Sequence, residues 1–381
     1  MTDFREQSAA GGPIVMIDAR KIEDSGIGTY IRNVVPRVIA RLPRIGFKLL
    51  GSVPAIETLV GPRPNCRPIE CPVKPLSVRE QLQLPGYITQ PLDLFWAPHF
   101  NIPLSYRGRL LVTIHDIMPM AVPALSGGPL HAIYVRAMTA AIRRCNATVI
   151  AVSEFTASEL RKRAHISAKQ ITVIHEAADE SWEHVQRNAR PHAGPYLLYV
   201  GLVKPHKNLL TLMKAFELLH EKLPIDLVIV GDRDRIVTRD EESARYAERF
   251  GDRAVFTGRV SDERLEQFVA YAEALVVPSL YEGFGLPCLE AMACGCPVIA
   301  SRAASLPEVC GGAALLFDPN SPTELADAIR QVVENPEQAR TMTQRGREQA
   351  SRFSWDRAAV DTAALIESLV ATSRTADAIA R

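Results

Sequence analysis

The chain has 381 residues, enough for two ordinary domains, and its 44 Lys+Arg and 43 Asp+Glu nearly cancel. The charge is uneven: residues 1–192 hold 23 basic and 16 acidic side chains (+7), and residues 193–381 hold 21 and 27 (−6). Neither half is basic enough to argue for nucleic acid, and no run approaches the ~20 apolar residues of a membrane span. Seven cysteines without a repeated spacing or a completing histidine do not make a zinc pattern, and reduced thiols in a cytoplasmic protein are expected. The opening MTDFREQSAAGGP lacks the apolar core of a signal peptide.

Ile14 to Ile17 reads as a strand ending in Asp18-Ala19-Arg20. Gly26-Ile27-Gly28-Thr29-Tyr30 follows as a glycine turn, then Ile31 to Leu42 as a helix, which opens a doubly wound sheet. The dinucleotide fingerprint wants a third glycine where Ile31 stands. The turn therefore approaches a phosphate or only closes the connection. Phe47 to Val53 is a strand, and the proline-rich residues 54–91 predict loops with short helices. Asp93 to Ala97 and Leu110 to Ile114 are further strands. The second ends in His115-Asp116, where α/β sheets keep their ligands; the alternative is a histidine satisfied by a backbone carbonyl. Residues 119–129 read as a mobile acceptor lid. A helix from Leu130 to Arg144, a strand from Thr148 to Val152, a helix from Thr156 to Ala164 capped by Ser153, and a strand from Ile171 to Ile174 complete the half.

Residues 179–195 are polar and contain proline, as linkers do. Domains are expected over 1–187 and 193–355, with a C-terminal helix over 356–381 packing back on the first. After the linker the alternation restarts, which means a second doubly wound domain. Its strands are Tyr196 to Gly201, Asp226 to Gly231, Ala254 to Gly258 and Ala274 to Val277; its helices are Leu209 to Leu223, 240–250 and Asp262 to Ala272. The loop Gly201 to Asn208 carries Lys204 and Lys207, which suit a diphosphate. Asp232-Arg233-Asp234 spells a metal-type triplet, but its arginines favour a solvated loop.

Residues 278–300 organise the chain. Gly283 and Gly285 flank Phe284, Pro287 sits where a helix starts and Gly295 where it stops. Such a loop delivers backbone N–H groups to a helix N-terminus, an anion site. Glu282 and Glu290 bracket it, and carboxylates beside an anion site accept strong hydrogen bonds from hydroxyls. The ligand so described has phosphates and sugar hydroxyls. The alternative is that both glutamates are solvated charges.

EGFGLPCLEAMACGCPVIAS at 282–301 and LYVGLVKPHKNL at 198–209 make nearly the whole chain resemble the retaining nucleotide-sugar glycosyltransferases of the GT-B fold, family 4. IDAR followed by SGIGTY, and VTIHDI at 112–117, resemble a subgroup rich in bacterial polysaccharide mannosyltransferases. The resemblance implies an α/β protein of two doubly wound, Rossmann-like domains facing across a cleft. It implies that Glu282 binds the donor sugar beside the reacting carbon and that Glu290 binds the ribose. Phe284, Gly285 and Leu286 would offer N–H groups to the distal phosphates, and Lys207 would neutralise the departing diphosphate. His115 would contact the donor sugar, and Gly28 would line the same cleft. Where the family often has an arginine this chain has Leu202, with Lys204 as its substitute.

The activity so implied moves a hexose from a nucleotide sugar to a glycan or lipid-linked glycan in cell-surface polysaccharide synthesis. Mannose from GDP-mannose is the first donor expected, and UDP-glucose or another nucleotide sugar the second. Neither a metal nor another cofactor is expected, and with no second acid placed as a nucleophile, same-face attack is favoured. A nucleotide-sugar epimerase is the other enzyme class, but it needs more acids and histidines than His115 and Glu282. A binding protein with a degenerate site is argued against by intact Glu282, Glu290 and Lys207. Arg32, Arg37, Arg41 and Arg44, with Arg161, Lys162 and Arg163, suggest peripheral contact with anionic lipid at the inner membrane face.

Overall fold

The computed structural model describes residues 12–125, 128–202, 204–231 and 241–379. The Asp232-Arg233-Asp234 triplet lies outside the described residues. The chain divides into two compact units. One comprises the residues up to Ala121, Pro129–Glu176 and the residues from Ser354 on; the other comprises Val122–Gly128 and Ala177–Phe353.

In the first unit, strands β1 (Ile14–Asp18), β2 (Gly46–Gly51), β3 (Cys66–Glu70), β4 (Leu94–Ala97), β5 (Leu110–Ile114), β6 (Thr148–Ala151) and β7 (Ile171–Val173) form one sheet. Its order is β3-β2-β1-β4-β5-β6-β7, and every pair is parallel. Strands β1, β4 and β5 are buried along their whole length, as expected where helices cover both faces of such a sheet. In the second unit β8 (Tyr196–Val200), β9 (Asp226–Val230), β10 (Ala254–Phe256), β11 (Ala274–Val277), β12 (Val298–Ser301) and β13 (Leu315–Phe317) take the order β10-β9-β8-β11-β12-β13, again all parallel. Strand order reverses between β1 and β4 and between β8 and β11. At such switch points the loops diverge and leave a crevice at the carboxyl ends of the strands.

Three expectations need correction. The Gly26–Tyr30 segment is not a turn before the helix: the helix runs Gly26–Arg41 and contains both glycines. Gly28 is there for a close approach, since a Cβ would lie 2.7 Å from the Ile22 carbonyl oxygen. Residues 54–91 hold the expected short helices, Val53–Val60 and Val78–Tyr87, but also a strand, β3, that was not expected. The half-exposed β3 tolerates Pro68 because it is an edge strand. The units divide at Glu176 and Ala177, before the expected linker, because the turn Glu180–His184 buries Trp182 in the second unit and packs on helix Leu286–Cys294. The C-terminal helix, Trp355–Ile379, is counted with the first unit. Its Asp356 pairs with Arg41 at 2.9 Å, and Trp355 lies edge-on to Tyr30 at 6.1 Å.

Candidate active site

The organising loop leaves the carboxyl end of β11 and enters helix Leu286–Cys294 through Gly285, whose φ is +110°. That left-handed conformation favours glycine, and a Cβ there would also press on Leu306 at 2.8 Å. Pro287 is the second helical residue, where the missing N–H removes no intrahelical bond, and Gly295 ends the helix at φ +88°.

Serines fix the loop. Ser305 Oγ lies 2.9 Å from the Glu282 carbonyl oxygen and 2.7 Å from that of Phe284. Ser301 Oγ donates to the Ser279 carbonyl, and Ser279 Oγ donates to Glu282 Oε1 at 2.6 Å. The ring of Phe284 is buried edge-on against Phe353 at 5.7 Å. A second loop, between β8 and helix Leu209–Glu217, is tied to the first because the Leu280 N–H donates to the His206 carbonyl at 2.7 Å. Asn208, at φ +55°, donates to the carbonyls of Pro278 (3.0 Å) and Pro319 (2.8 Å).

These ties bring Lys207 to Glu282. Lys207 Nζ donates to Glu282 Oε1 at 2.6 Å, with 21% and 13% of the two side chains exposed. Burial pushes the Glu282 carboxyl up, but the Lys207 charge and hydrogen bond, with Ser279, bring it below its ordinary value. Glu282 is therefore an anion at neutral pH. Its Oε2 and the N–H groups of Gly285 and Leu286 make no hydrogen bond to described residues. A carboxylate oxygen, an ammonium and helix N-terminal donors thus stand on the two loops that leave the carboxyl ends of the paired strands β8 and β11. Together they can hold an anion and a hydroxyl side by side. Glu290 sits half-buried one turn into the same helix, and Lys204 is exposed at the start of the turn Pro205–Lys207.

Gly28 and His115 belong to the first unit. His115 follows β5, and both ring nitrogens are engaged: Nδ1 lies 2.7 Å from Glu176 Oε1 and Nε2 3.0 Å from the Pro98 carbonyl oxygen. Burial pulls the imidazole pKa down, but the Glu176 hydrogen bond and charge, with Pro98, carry it above its ordinary value. The backbone-carbonyl alternative is therefore realised in this structure, with a carboxylate added. Tyr30, two residues after Gly28, sets its ring edge-on to His115 at 5.1 Å, which joins the two positions.

One cluster was not anticipated. Arg20 Nη2 donates to Asp18 Oδ2 at 2.6 Å and to Glu80 Oε1 at 2.7 Å, and its Nη1 donates to the Val73 carbonyl at 3.0 Å. His99 Nε2 lies 3.3 Å from Asp18 Oδ2, and the Asn101 N–H donates to His99 Nδ1 at 3.2 Å. Burial alone would raise the Asp18 carboxyl, but His99 and Arg20 hold it well below the usual carboxylate range. The visible signal was Asp-x-Arg at a strand's carboxyl end. Ser279, Ser301 and Ser305 were also missed, and their signal is a small hydroxyl residue just beyond or at the end of a buried strand.

Comparison with known proteins gives the family. A family model described as Glycosyl transferases group 1 matches residues 180–349, and one described as Glycosyltransferase Family 4 matches residues 88–182. The chain is 32% identical over 286 residues to an O-antigen chain mannosyltransferase B of Escherichia coli, covering 71% of this chain and 72% of that protein. It is 29% identical to the O-antigen chain mannosyltransferase RfbU of Salmonella typhimurium, covering 64% of this chain and 66% of that one. Against the serotype-specific mannosyltransferase WbdA of Escherichia coli, at 26% identity, it spans a third (33%) of the relative's length. Among solved structures, sucrose-phosphate synthase of Thermosynechococcus elongatus superposes with a TM-score of 0.74 at 24% identity, covering 95% of this chain and all (100%) of that one. Anabaena Alr3699/HepE in complex with UDP-glucose gives 0.72 at 19%, covering 93% and 99%. Fold, family models and relatives converge: the chain belongs to the GT-B glycosyltransferases of the family 4 type and is a glycosyltransferase.

Proposed function

We propose that this glycosyltransferase moves mannose from GDP-mannose, with retention, onto a glycan or lipid-linked glycan acceptor in cell-surface polysaccharide synthesis. The donor sugar is supported by the mannosyltransferase relatives. The observation that carries the reading is the Lys207–Glu282 pair beside the open N–H groups of Gly285 and Leu286.

The chemistry follows from charge. Breaking the bond from sugar to phosphate leaves negative charge on the diphosphate and positive charge on the sugar carbon. Lys207 and the helix N-terminus stabilise the first, without a metal or further cofactor, and the Glu282 carboxylate stands by the second. Glu282 Oε2 accepts a hydrogen bond from a sugar hydroxyl, Glu290 binds the ribose, and Phe284 and Lys204 complete the phosphate contacts. Glu282 Oε1 is held by Lys207 and Ser279, which suits an electrostatic role better than that of a nucleophile. The acceptor then enters on the face the diphosphate leaves.

The test is to offer GDP-mannose and UDP-glucose with a lipid-linked glycan, and to read the released nucleoside diphosphate and the product anomer by NMR. An α-mannosyl product from the α-linked donor is expected. An inverted product, or turnover of UDP-glucose alone, overturns the retaining or the mannosyl part respectively. Conversion of the free donor to its epimer would point to the other enzyme class.

A further inference from the structure

The first helix commits its arginines within the chain. Arg37 and Arg41 lie 3.5 and 2.9 Å from Asp356, and Arg32 donates to the Ile22 carbonyl at 2.6 Å. A second basic group stands elsewhere on the same unit. A cavity of about 470 Å³ is lined by Arg136, Thr139 and Arg143 of helix Pro129–Arg144, with Arg163 and His165 from the end of helix Glu154–Arg163. No Asp or Glu lines it.

Arg136 and Arg143 are seven residues apart, so two helical turns put them on one face with Thr139 between. Both are exposed, and neither guanidinium has a hydrogen bond or ion pair with a described residue. Arg163 pairs only along its own helix, with Glu159 at 2.6 Å. The helix dipole accounts for basic residues in a last turn, and so for Arg143 and Arg163. It does not account for Arg136, two turns upstream, or for His165.

His165 closes the lining from the second helix. It holds φ +53° just past the helix end, where the N–H groups of Ala164 and Ile166 both reach the Leu160 carbonyl, at 3.1 and 3.2 Å. That left-handed cap, which histidine adopts more readily than most residues, places the imidazole on the cavity wall beside Arg163.

We propose that this cavity binds a phosphate-bearing ligand, a phosphate monoester or diphosphate either free or carried on a lipid. Guanidinium forks match phosphate oxygens two at a time, and the volume suits a small anionic group. The site uses no residue of the donor loop, so it stands or falls apart from the donor assignment.

The test titrates the full-length protein, Arg136→Ala/Arg143→Ala and Lys207→Ala with inorganic pyrophosphate by calorimetry. Phosphatidylcholine vesicles with and without phosphatidic acid form a second arm. The double variant should lose one binding event, its affinity falling about tenfold or more at unchanged melting temperature. That event should persist in Lys207→Ala, and Arg136→Gln alone should weaken it in the same sense. Loss confined to pyrophosphate assigns a free ligand. Loss of phosphatidic-acid binding that pyrophosphate competes away assigns a lipid-borne one. Equal binding of both probes by the wild type and the double variant, or no binding of either by the wild type, overturns the proposal.

Discussion

At the end of β1 the side chains of Asp18 and Arg20 are 0% and 2% exposed; beside β11 those of Glu282 and Lys207 keep 13% and 21%. Both pairs stand at the carboxyl end of a parallel sheet beside a switch in strand order. The first is closed to solvent: Asp18, Glu80 and Val73 take up the Arg20 guanidinium, while the buried His99 Nε2 and Asn101 Oδ1 beside it make no hydrogen bond to a described residue. The second is open, with one carboxylate oxygen and two backbone donors left for a ligand. Position in an α/β fold therefore does not decide function; hydrogen-bonding capacity that solvent can reach at that position does. A closed cluster should show itself in stability, and an open one in turnover.

The largest effect belongs to the closed cluster. Arg20→Ala leaves two buried carboxylates without their shared cation, and removing one partner of a buried pair costs about 3–5 kcal/mol. Urea unfolding should show that loss, while donor affinity measured below the unfolding range should not move. A stable Arg20→Ala protein that had lost donor binding would turn the comparison around.

Glu282→Gln should do the reverse. Turnover is expected to fall about 100-fold or more, with donor affinity little changed because the contact matters most as charge develops. Stability should fall by less than in Arg20→Ala, because the glutamine oxygen still accepts from Lys207 and Ser279 in a pair that keeps some exposure. Steady-state kinetics and a urea curve on one preparation test both halves.

How much of this could be read in the residues depended on how local the cause was. The loop at 282–295 was legible because its glycines and proline act through their own backbone angles. Lys207 was legible for the same reason, since it sits in a strand-to-helix loop. The serines were not: a hydroxyl that clasps a carbonyl 21 or 22 residues away is recognisable only once β11 and β12 lie side by side. Glu80 as the partner of Arg20 is 60 residues away, on one of the short helices of a segment with little periodicity. Strand β3 was hidden because Pro68 and a half-exposed pattern erase the signal of a buried strand. The place of His115 at the end of β5 could be read from position, but its partner Glu176 lies 61 residues on and carries no motif.

His115 and Glu176 stand between the two cases, ionic like the closed cluster but with an imidazole whose raised pKa makes the pairing depend on pH. The folded pKa of His115 is raised, so its contribution to stability is fully present below the unfolded value of about 6.5 and is lost as pH rises through the folded value. Glu176→Gln should therefore destabilise by about 1.5–3 kcal/mol near pH 6, and the gap should close at higher pH. Unfolding curves across that range check it, with the imidazole NMR shift reporting a lowered His115 pKa in the variant. A gap constant with pH would mean that the pair holds the fold by packing alone.

The smallest expected effect is none, and it bears on what makes the open cluster sufficient. A departing diphosphate needs positive charge close by. At the donor loop that charge is available from the Lys207 ammonium and from the N-terminus of helix Leu286–Cys294, which carries about half an elementary charge. Among the described residues no group of three or more His, Cys, Asp or Glu could hold a metal ion. Transfer should then proceed at the same rate in EDTA as without it. Lys207→Ala should bind the nucleoside diphosphate about tenfold more weakly, and magnesium should not restore it. Loss of activity in EDTA with recovery in magnesium or manganese would bring Asp232 and Asp234 back as ligands. It would also mean that the open cluster is completed by an ion rather than by the chain itself.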